Sequence, residues 1–533
     1  MAASRLCCRQ KSENYTDVVI IGNGPSAITL SYMLHGYRPY YNGAPHSNSI
    51  LINKLRDNKA SVVEQDLEFL SEGLEGRSTN PVALLWDTLS HPDADLGADN
   101  PSVLDWKLEK EKVIPHVVLG KTKVGGSWQN MEGSMHTISQ NNWMELPGCP
   151  FREWLAKRHR RMDVQGGRAT VADVRSYYEE YVEDMGLRKH FRDYHVVTSI
   201  QKVFDLRNCA DSESGEVEHC CQNIQENHCF LWEVRGYFTK VAASAHNVKD
   251  MEEKEEENQY ICDWSSFSED LMDQSADAPS SREEFCFVTP HVVLATGTYD
   301  VPNRLGIKGE NQPSVLHSLC AFEQLLTDGV LTSSSSPVCI VGAGLSAADA
   351  ILMALNSGIP VIHIFRRAPN DPSLIFKKLP RSMYPEYHRV ASLMKGETEN
   401  ELYQAYPRHR LVEVSSQMVF LKPCSSSSRS PSPHGADGSI ISVDVSCTVI
   451  MIGSRPDLSF LANGGRNLGV VPKWQIDSKH NPVDVDLFTY QSVHEPRLFA
   501  MGPLVGDNFV RFGIGGALGI TNHLMQCSQK GGL

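Results

Sequence analysis

The chain has 533 residues, enough for one to three domains with a sizeable core. Its formal charge of −14 argues against a nucleic-acid partner or an anionic membrane surface. No apolar run is long enough for a bilayer span, and the first ten residues carry too short an apolar stretch for a secretory signal, so a soluble cytoplasmic protein without membrane insertion is expected.

The first element is a short β-branched strand, Val18–Ile21, running into Gly22-Asn23-Gly24-Pro25-Ser26-Ala27 and a helix-compatible stretch, Ile28–Leu34. Strand, glycine turn and helix in this order form a dinucleotide fingerprint. The first glycine turns the backbone sharply. The second lets a pyrophosphate approach the main chain, and the small Ala27 lets helix and strand pack closely. Free N–H groups at the helix start, aided by the helix dipole, then face the phosphates.

In such a fold the next strand ends in an acid that binds the ribose. The stretch 37–50 carries no acid and is rich in Pro, Asn, Gly and Ser. Residues 36–112 therefore read as an insertion with its own elements, one of them over 66–74. Ile114–Gly120 reads as the next strand, with Leu119 or Gly120 where the acid would stand. Gly125 and Gly126 follow, and again let backbone approach a ligand.

Val174, Tyr177, Tyr178, Tyr181 and Val182 repeat at helical spacing and predict an amphipathic helix over 172–187, its tyrosines in the core. A strand is expected over 194–200. Residues 206–230 and 240–284 are polar and acidic and read as disordered insertions, or else as an acidic docking segment. A strand over 231–237 lies between them.

The cysteines, 14 in all, form no framework. His219-Cys220-Cys221 with His228-Cys229 has adjacent ligands poorly spaced for tetrahedral zinc, so free thiols and no metal are expected. No C-x-x-C stands near a glycine loop, which disfavours a disulfide reductase.

Val288–Pro302 closes a unit, and a serine-rich linker, 332–336, precedes a second glycine loop of the same design. Here Val338–Val341 leads into Gly342-Ala343-Gly344-Leu345-Ser346-Ala347 and a helix. Two such loops suggest two cofactors that exchange electrons. The strand after the second loop ends in Arg366 and Arg367 where an NAD site would carry an acid. A guanidinium fork pairs with a 2′-phosphate, which points to NADPH; the alternative is a solvated arginine pair. A low-complexity loop over 425–432, a buried strand over 445–453, a last strand over 496–502 and a glycine-rich helix start over 513–518 complete the chain.

Taken together, Gly22-x-Gly24, Gly125-Gly126-x-Trp128, Ala295-Thr296-Gly297, Gly342-x-Gly344-x-Ser346-Ala347 and Leu498-Phe499-Ala500-x-Gly502 resemble the flavin-containing and N-hydroxylating monooxygenases. Longer stretches at 66–78, 114–120, 361–367, 384–388 and 502–512 resemble the oxidative stress-induced growth inhibitor family. The resemblance implies an α/β fold of two Rossmann-like domains, the second inserted in the first. An FAD domain would span 15–310, an NADPH domain 311–444 and the rest of the FAD domain 445–533. FAD would sit on Gly22, Gly24, Pro25, Ser26, Gly125, Gly126, Trp128, Val197, Thr296, Gly297 and Gly502. Asp507 would replace the acid that relatives carry directly after the last glycine, where Pro503 stands here. NADPH would sit on Gly342, Gly344, Ser346, Ala347, Arg366 and Arg367.

The implied reaction is oxygen transfer from a flavin C4a-hydroperoxide to an unknown nitrogen or sulfur nucleophile, with O₂ as co-substrate. Gln140, Asn141 or Asn142 would support it. His317 can stand for the histidine of the monooxygenase fingerprint, although Asn311 and Pro313 replace its aromatic residue and glycine. The resemblance also implies roles in growth and cell-cycle control, with regulatory protein partners and a location at cell-division structures. The damaged fingerprint, the missing acid and the large acidic insertions support one rival, a regulatory scaffold in growth, meiosis or germ-cell maturation; a plain NADPH dehydrogenase is the third reading.

Overall fold

The computed structural model describes residues 14–158, 167–204, 230–239, 282–424 and 440–529. Most of the two acidic insertions, the His219–Cys229 cluster and the 425–432 loop lie outside the described residues.

Two parallel sheets of five strands organise the molecule. In the first, Val18–Ile21 lies between His116–Leu119 and His291–Leu294, with Phe191–Arg192 and Leu498–Ala500 at the edges. The second repeats the plan. Val338–Val341 lies between Val361–Phe365 and Cys447–Ile450, with Tyr403–Pro407 and Val315–Leu316 outside. The central strands of both sheets are buried along their whole length, as β-branched runs covered on both faces must be. Each unit adds a three-stranded antiparallel sheet: His195–Phe204, Phe230–Thr239 and Arg282–Thr289 in the first, His409–Val414, Met418–Pro423 and Ile441–Asp444 in the second. A two-stranded ribbon, Val301–Pro302 against Ser454–Arg455, carries both crossings between the units.

The helix Val171–Asp184 forms as the periodicity predicts, opened by a capping box between Thr170 and Asp173. Its three tyrosines are in the core, their hydroxyls donating to the carbonyls of Cys149, Met144 and Pro147.

One stretch that the sequence left unassigned takes a definite form, and one boundary changes. Residues Tyr37–Tyr41 form a strand, paired antiparallel with Leu104–Leu108, despite Pro39 and the polar run after it. Arg38, fully buried, anchors it by donating to the carbonyls of Met33, Tyr37 and Lys112. The boundary at 445 also moves. Cys447–Ile450 pairs with Val338–Val341, inside the second sheet, so the chain returns to the first unit only after the ribbon at 454–455.

Candidate dinucleotide sites and the seam between them

The two glycine loops fold alike. Gly22 has φ +106°, and a Cβ there would stand 2.3 Å from the Ala295 carbonyl oxygen. Gly342 has φ +137°, with a Cβ 2.2 Å from the Met451 carbonyl oxygen. In each case the neighbouring strand end leaves no room for a side chain. The second glycine of each loop differs: a Cβ on Gly24 would touch only the Gly125 carbonyl oxygen at 3.9 Å, and one on Gly344 would meet nothing within 4 Å. Space is thus left where a pyrophosphate needs close approach to the main chain. Both glycines are N-caps without a side-chain cap, so the first N–H groups of the helices Pro25–Leu34 and Leu345–Asn356 are free for an anion. Pro25 has no N–H to offer and pre-sets the first turn. Ala27 and Ala347 are buried against their strands. The residues present fit two dinucleotides.

Around the first loop the structure brings most of the predicted residues together. Gly126, at φ +62°, lies against Gly24, where an added Cβ would be 3.0 Å from the Gly24 Cα. The Gly125 N–H donates to the Asn23 carbonyl at 3.0 Å. Asn23 fills the place of the missing ribose acid: its side chain lies on Gly120, where a Cβ would be 1.9 Å from Asn23 Nδ2, and donates to the Thr122 carbonyl at 2.8 Å. Gly297, at φ +70° with open space around it, follows the strand beside the loop, next to the half-buried Thr296. Trp128 packs edge-on against Tyr178, and Val197 lies at the bulge of the antiparallel sheet.

Several predicted residues serve the protein instead. Buried Ser26 donates to the Gly513 carbonyl at 2.9 Å, and Gly502, at φ +70°, is a glycine because a Cβ would meet Ser26 Oγ at 2.6 Å. Asp507 is held by side chains of the protein itself. Its carboxylate accepts from Ser78 Oγ at 2.6 Å, Asn80 Nδ2 at 2.8 Å and the Tyr490 hydroxyl at 3.5 Å. Burial pushes its pKa up to about 6 despite these bonds.

In the second unit Arg366 and Arg367 are both exposed at the end of their strand. Arg367 donates to Ser373 Oγ, and no described residue takes the guanidinium of Arg366. Ser346 is exposed in the first turn of the helix. One residue the sequence reading missed is His363. Its buried ring donates from Nε2 to the Gly342 carbonyl at 2.6 Å and accepts at Nδ1 from the Tyr403 hydroxyl at 2.7 Å. Burial lowers its pKa to about 4, so it is neutral at physiological pH and steadies the glycine loop. A histidine inside an apolar strand carries no signal of this without the register.

The units meet along a seam next to the predicted catalytic segment. Buried Arg168, from the first unit, donates to the Thr137 carbonyl at 2.6 Å and pairs with Glu386 of the second at 2.7 Å. Its guanidinium lies 4.7 Å from the Tyr384 ring centre, and the Tyr384 hydroxyl donates to the Ile138 carbonyl. Ile138 packs against the core of the second unit. Three residues on, Asn141 has a buried side-chain oxygen with no hydrogen-bond partner, and the Trp143 indole N–H is likewise unpaired. Asn142 is spent: its amide donates to the exposed Asp99 at 2.8 Å. His317 is not brought to this segment by any contact. It stands at the edge of the second sheet, with Arg304 donating to its Nε2 at 3.4 Å and Glu310 3.7 Å away. Burial and Arg304 lower its pKa.

Among the described residues no group of His, Cys, Asp and Glu could hold a metal ion, and no helix is long and apolar enough to cross a membrane.

No family model matches the chain. Oxidative stress-induced growth inhibitor 2 of Homo sapiens is 45% identical over 523 residues, covering 96% of this chain and 94% of that one. Oxidative stress-induced growth inhibitor 1 of Homo sapiens is 41% identical over 519 residues, covering 96% and 95%. Among solved structures, the bacillithiol disulfide reductase Bdr of Staphylococcus aureus shares the fold, with a TM-score of 0.53 at 13% identity over 97% of this chain and 99% of that one.

Proposed function

The chain belongs to the oxidative stress-induced growth inhibitor family, and on that premise we propose that it is an FAD- and NADPH-dependent oxidoreductase of the monooxygenase kind, acting in growth control. The observation that carries the reading is the pair of uncapped helix N-termini, each behind a glycine with room for a pyrophosphate. FAD, when bound, would supply the redox chemistry between NADPH and O₂. The residues of the chain hold, orient and shield. The N–H groups after Gly24 and Gly344 bind the pyrophosphates, and Arg366 pairs with the 2′-phosphate. Asn141 offers its unspent amide oxygen, buried beside the seam, to the reacting groups. The Arg168–Tyr384–Glu386 contact keeps water from that side. One oxygen atom goes to a nitrogen or sulfur nucleophile and the other leaves as water.

The test is to purify the protein, record its flavin absorbance, reduce it with NADPH without air, then admit O₂ with an amine or thioether. An N- or S-oxygenated product supports the reading. Hydrogen peroxide as the sole product, or a preparation that takes up no flavin, defeats it.

A regulatory scaffold is the second reading, favoured by Asp507 and His317 both being committed to the protein's own structure. Full growth activity from a Gly342→Asp variant in cells would favour it.

A further inference from the structure

We infer that Arg408, not Arg367, is the partner of Arg366 in recognising the 2′-phosphate of NADPH; this rests on the NADPH reading above. The strands Val361–Phe365 and Tyr403–Pro407 are parallel neighbours, with Phe365 opposite Pro407. Arg366 and Arg408 are the next residues of each, so both lie at one sheet end, where the Arg408 N–H donates to the Arg367 carbonyl at 3.4 Å. This is the end from which the Gly342 loop leaves the adjoining strand, bonded to the Ile364 carbonyl through the Gly342 N–H at 3.1 Å. A ribose held at the end of the strand after a glycine loop lies between these positions.

Arg367 is poorly placed for the role. It donates to Ser373 Oγ, which in turn donates to Asp371 Oδ1 at 2.5 Å, so its guanidinium is already engaged locally. Arg408 is exposed, and no described residue takes its guanidinium. Its backbone is unusual. At φ +56° it is left-handed, a conformation that glycine or asparagine adopts more cheaply. That single residue turns the chain from the parallel sheet into the antiparallel one, its carbonyl accepting from the Cys424 N–H at 2.7 Å. A glycine would serve the turn better, so the arginine there is explained by its side chain. Two forked guanidinia on adjacent strand ends match a dianionic phosphate, which offers acceptors to both.

The test uses the full chain and calorimetric binding of 2′,5′-ADP and 5′-AMP, which differ only in the 2′-phosphate. Wild type is expected to favour 2′,5′-ADP. Arg408→Gln and Arg366→Gln should each weaken 2′,5′-ADP about tenfold or more and leave 5′-AMP unchanged. Arg408→Gly should do the same while relieving the backbone, so misfolding cannot imitate the result. Arg367→Gln should change either ligand less than about threefold. Arg408→Gly that keeps the full preference for 2′,5′-ADP overturns the inference while the NADPH reading stands. A wild type without any preference overturns both.

Discussion

The two halves of this molecule solve one problem with different enclosures. Gly22 and Gly342 are confined alike, each by a carbonyl at the end of the next strand. Beyond that they part. The first loop is overlaid by Gly125 and Gly126, braced by Asn23 on Gly120, and tied through Ser26 to the last segment of the chain. The second stands open: Gly344, Ser346 and Arg366 are all exposed. A closed cradle suits a cofactor that stays, and an open one suits a dinucleotide that enters and leaves each turnover. The lesson is that one fingerprint serves residence or exchange according to what packs over it.

The largest effect should come from filling the confined glycines. Gly22→Ala places a methyl against the Ala295 carbonyl in a backbone that alanine resists, costing about 3 kcal/mol or more and the flavin with it. Gly342→Ala should abolish NADPH binding and leave the flavin in place. Flavin content after purification and melting temperature read both. Loss of flavin from the Gly342 variant alone would erase the distinction.

Acid comes next. A buried neutral histidine binds no proton in the native state while its unfolded form titrates near 6.5. His363, lowered to about 4, therefore contributes stability that is complete above pH 6.5 and lost as pH falls towards 4, of the order of 3 kcal/mol. His116, lowered to about 3, acts in the same direction in the first unit. Its bonds run to Ser31 and the Ile114 carbonyl, away from the glycine loop. NADPH affinity should thus fall before flavin content does in a titration from pH 7 to 4.5. His363→Phe should flatten the acid limb of a denaturation series relative to wild type.

The open glycines sharpen the comparison without touching the fold. Gly24→Ala and Gly344→Ala meet no protein clash, so melting temperatures should stay within about 3 °C of wild type. Affinity for FAD and for NADPH, respectively, should fall ten- to a hundredfold as the pyrophosphate is held off. The smallest change is expected from Asn142→Ala, which removes one exposed hydrogen bond to Asp99: under about 0.5 kcal/mol, with turnover unaltered. Asn141→Ala should instead lower turnover with little loss of stability, because its buried oxygen has no protein partner to lose.

What the sequence disclosed was the chemistry that lies within a dozen consecutive residues. Both loops, the strands before them and the arginines at 366 and 367 were readable because glycine and guanidinium act locally. The limits came from distance along the chain. Nothing near Asp507 in the sequence says that Ser78 and Asn80, more than four hundred residues earlier, bond its carboxylate. Cys447–Ile450 has the same apolar composition as a strand of either sheet, and only pairing with Val338–Val341 decides which. Tyr37–Tyr41 was hidden by Pro39, tolerated because the strand belongs to a two-stranded sheet. His363 needed the register to be told from any core histidine.

The ribbon at 301–302 and 454–455 fixes an order of manufacture. As the chain leaves the ribosome, the second unit has all five parallel strands by residue 450, whereas the first still lacks Leu498–Ala500 and the helix Gly516–Gln529. The nascent first half must wait with an unpaired His291–Leu294 edge and an uncovered Pro25–Leu34 helix until Leu498–Ala500 and Gly516–Gln529 are made. A stop codon between residues 460 and 498 would therefore spare the inserted unit and ruin the one that surrounds it.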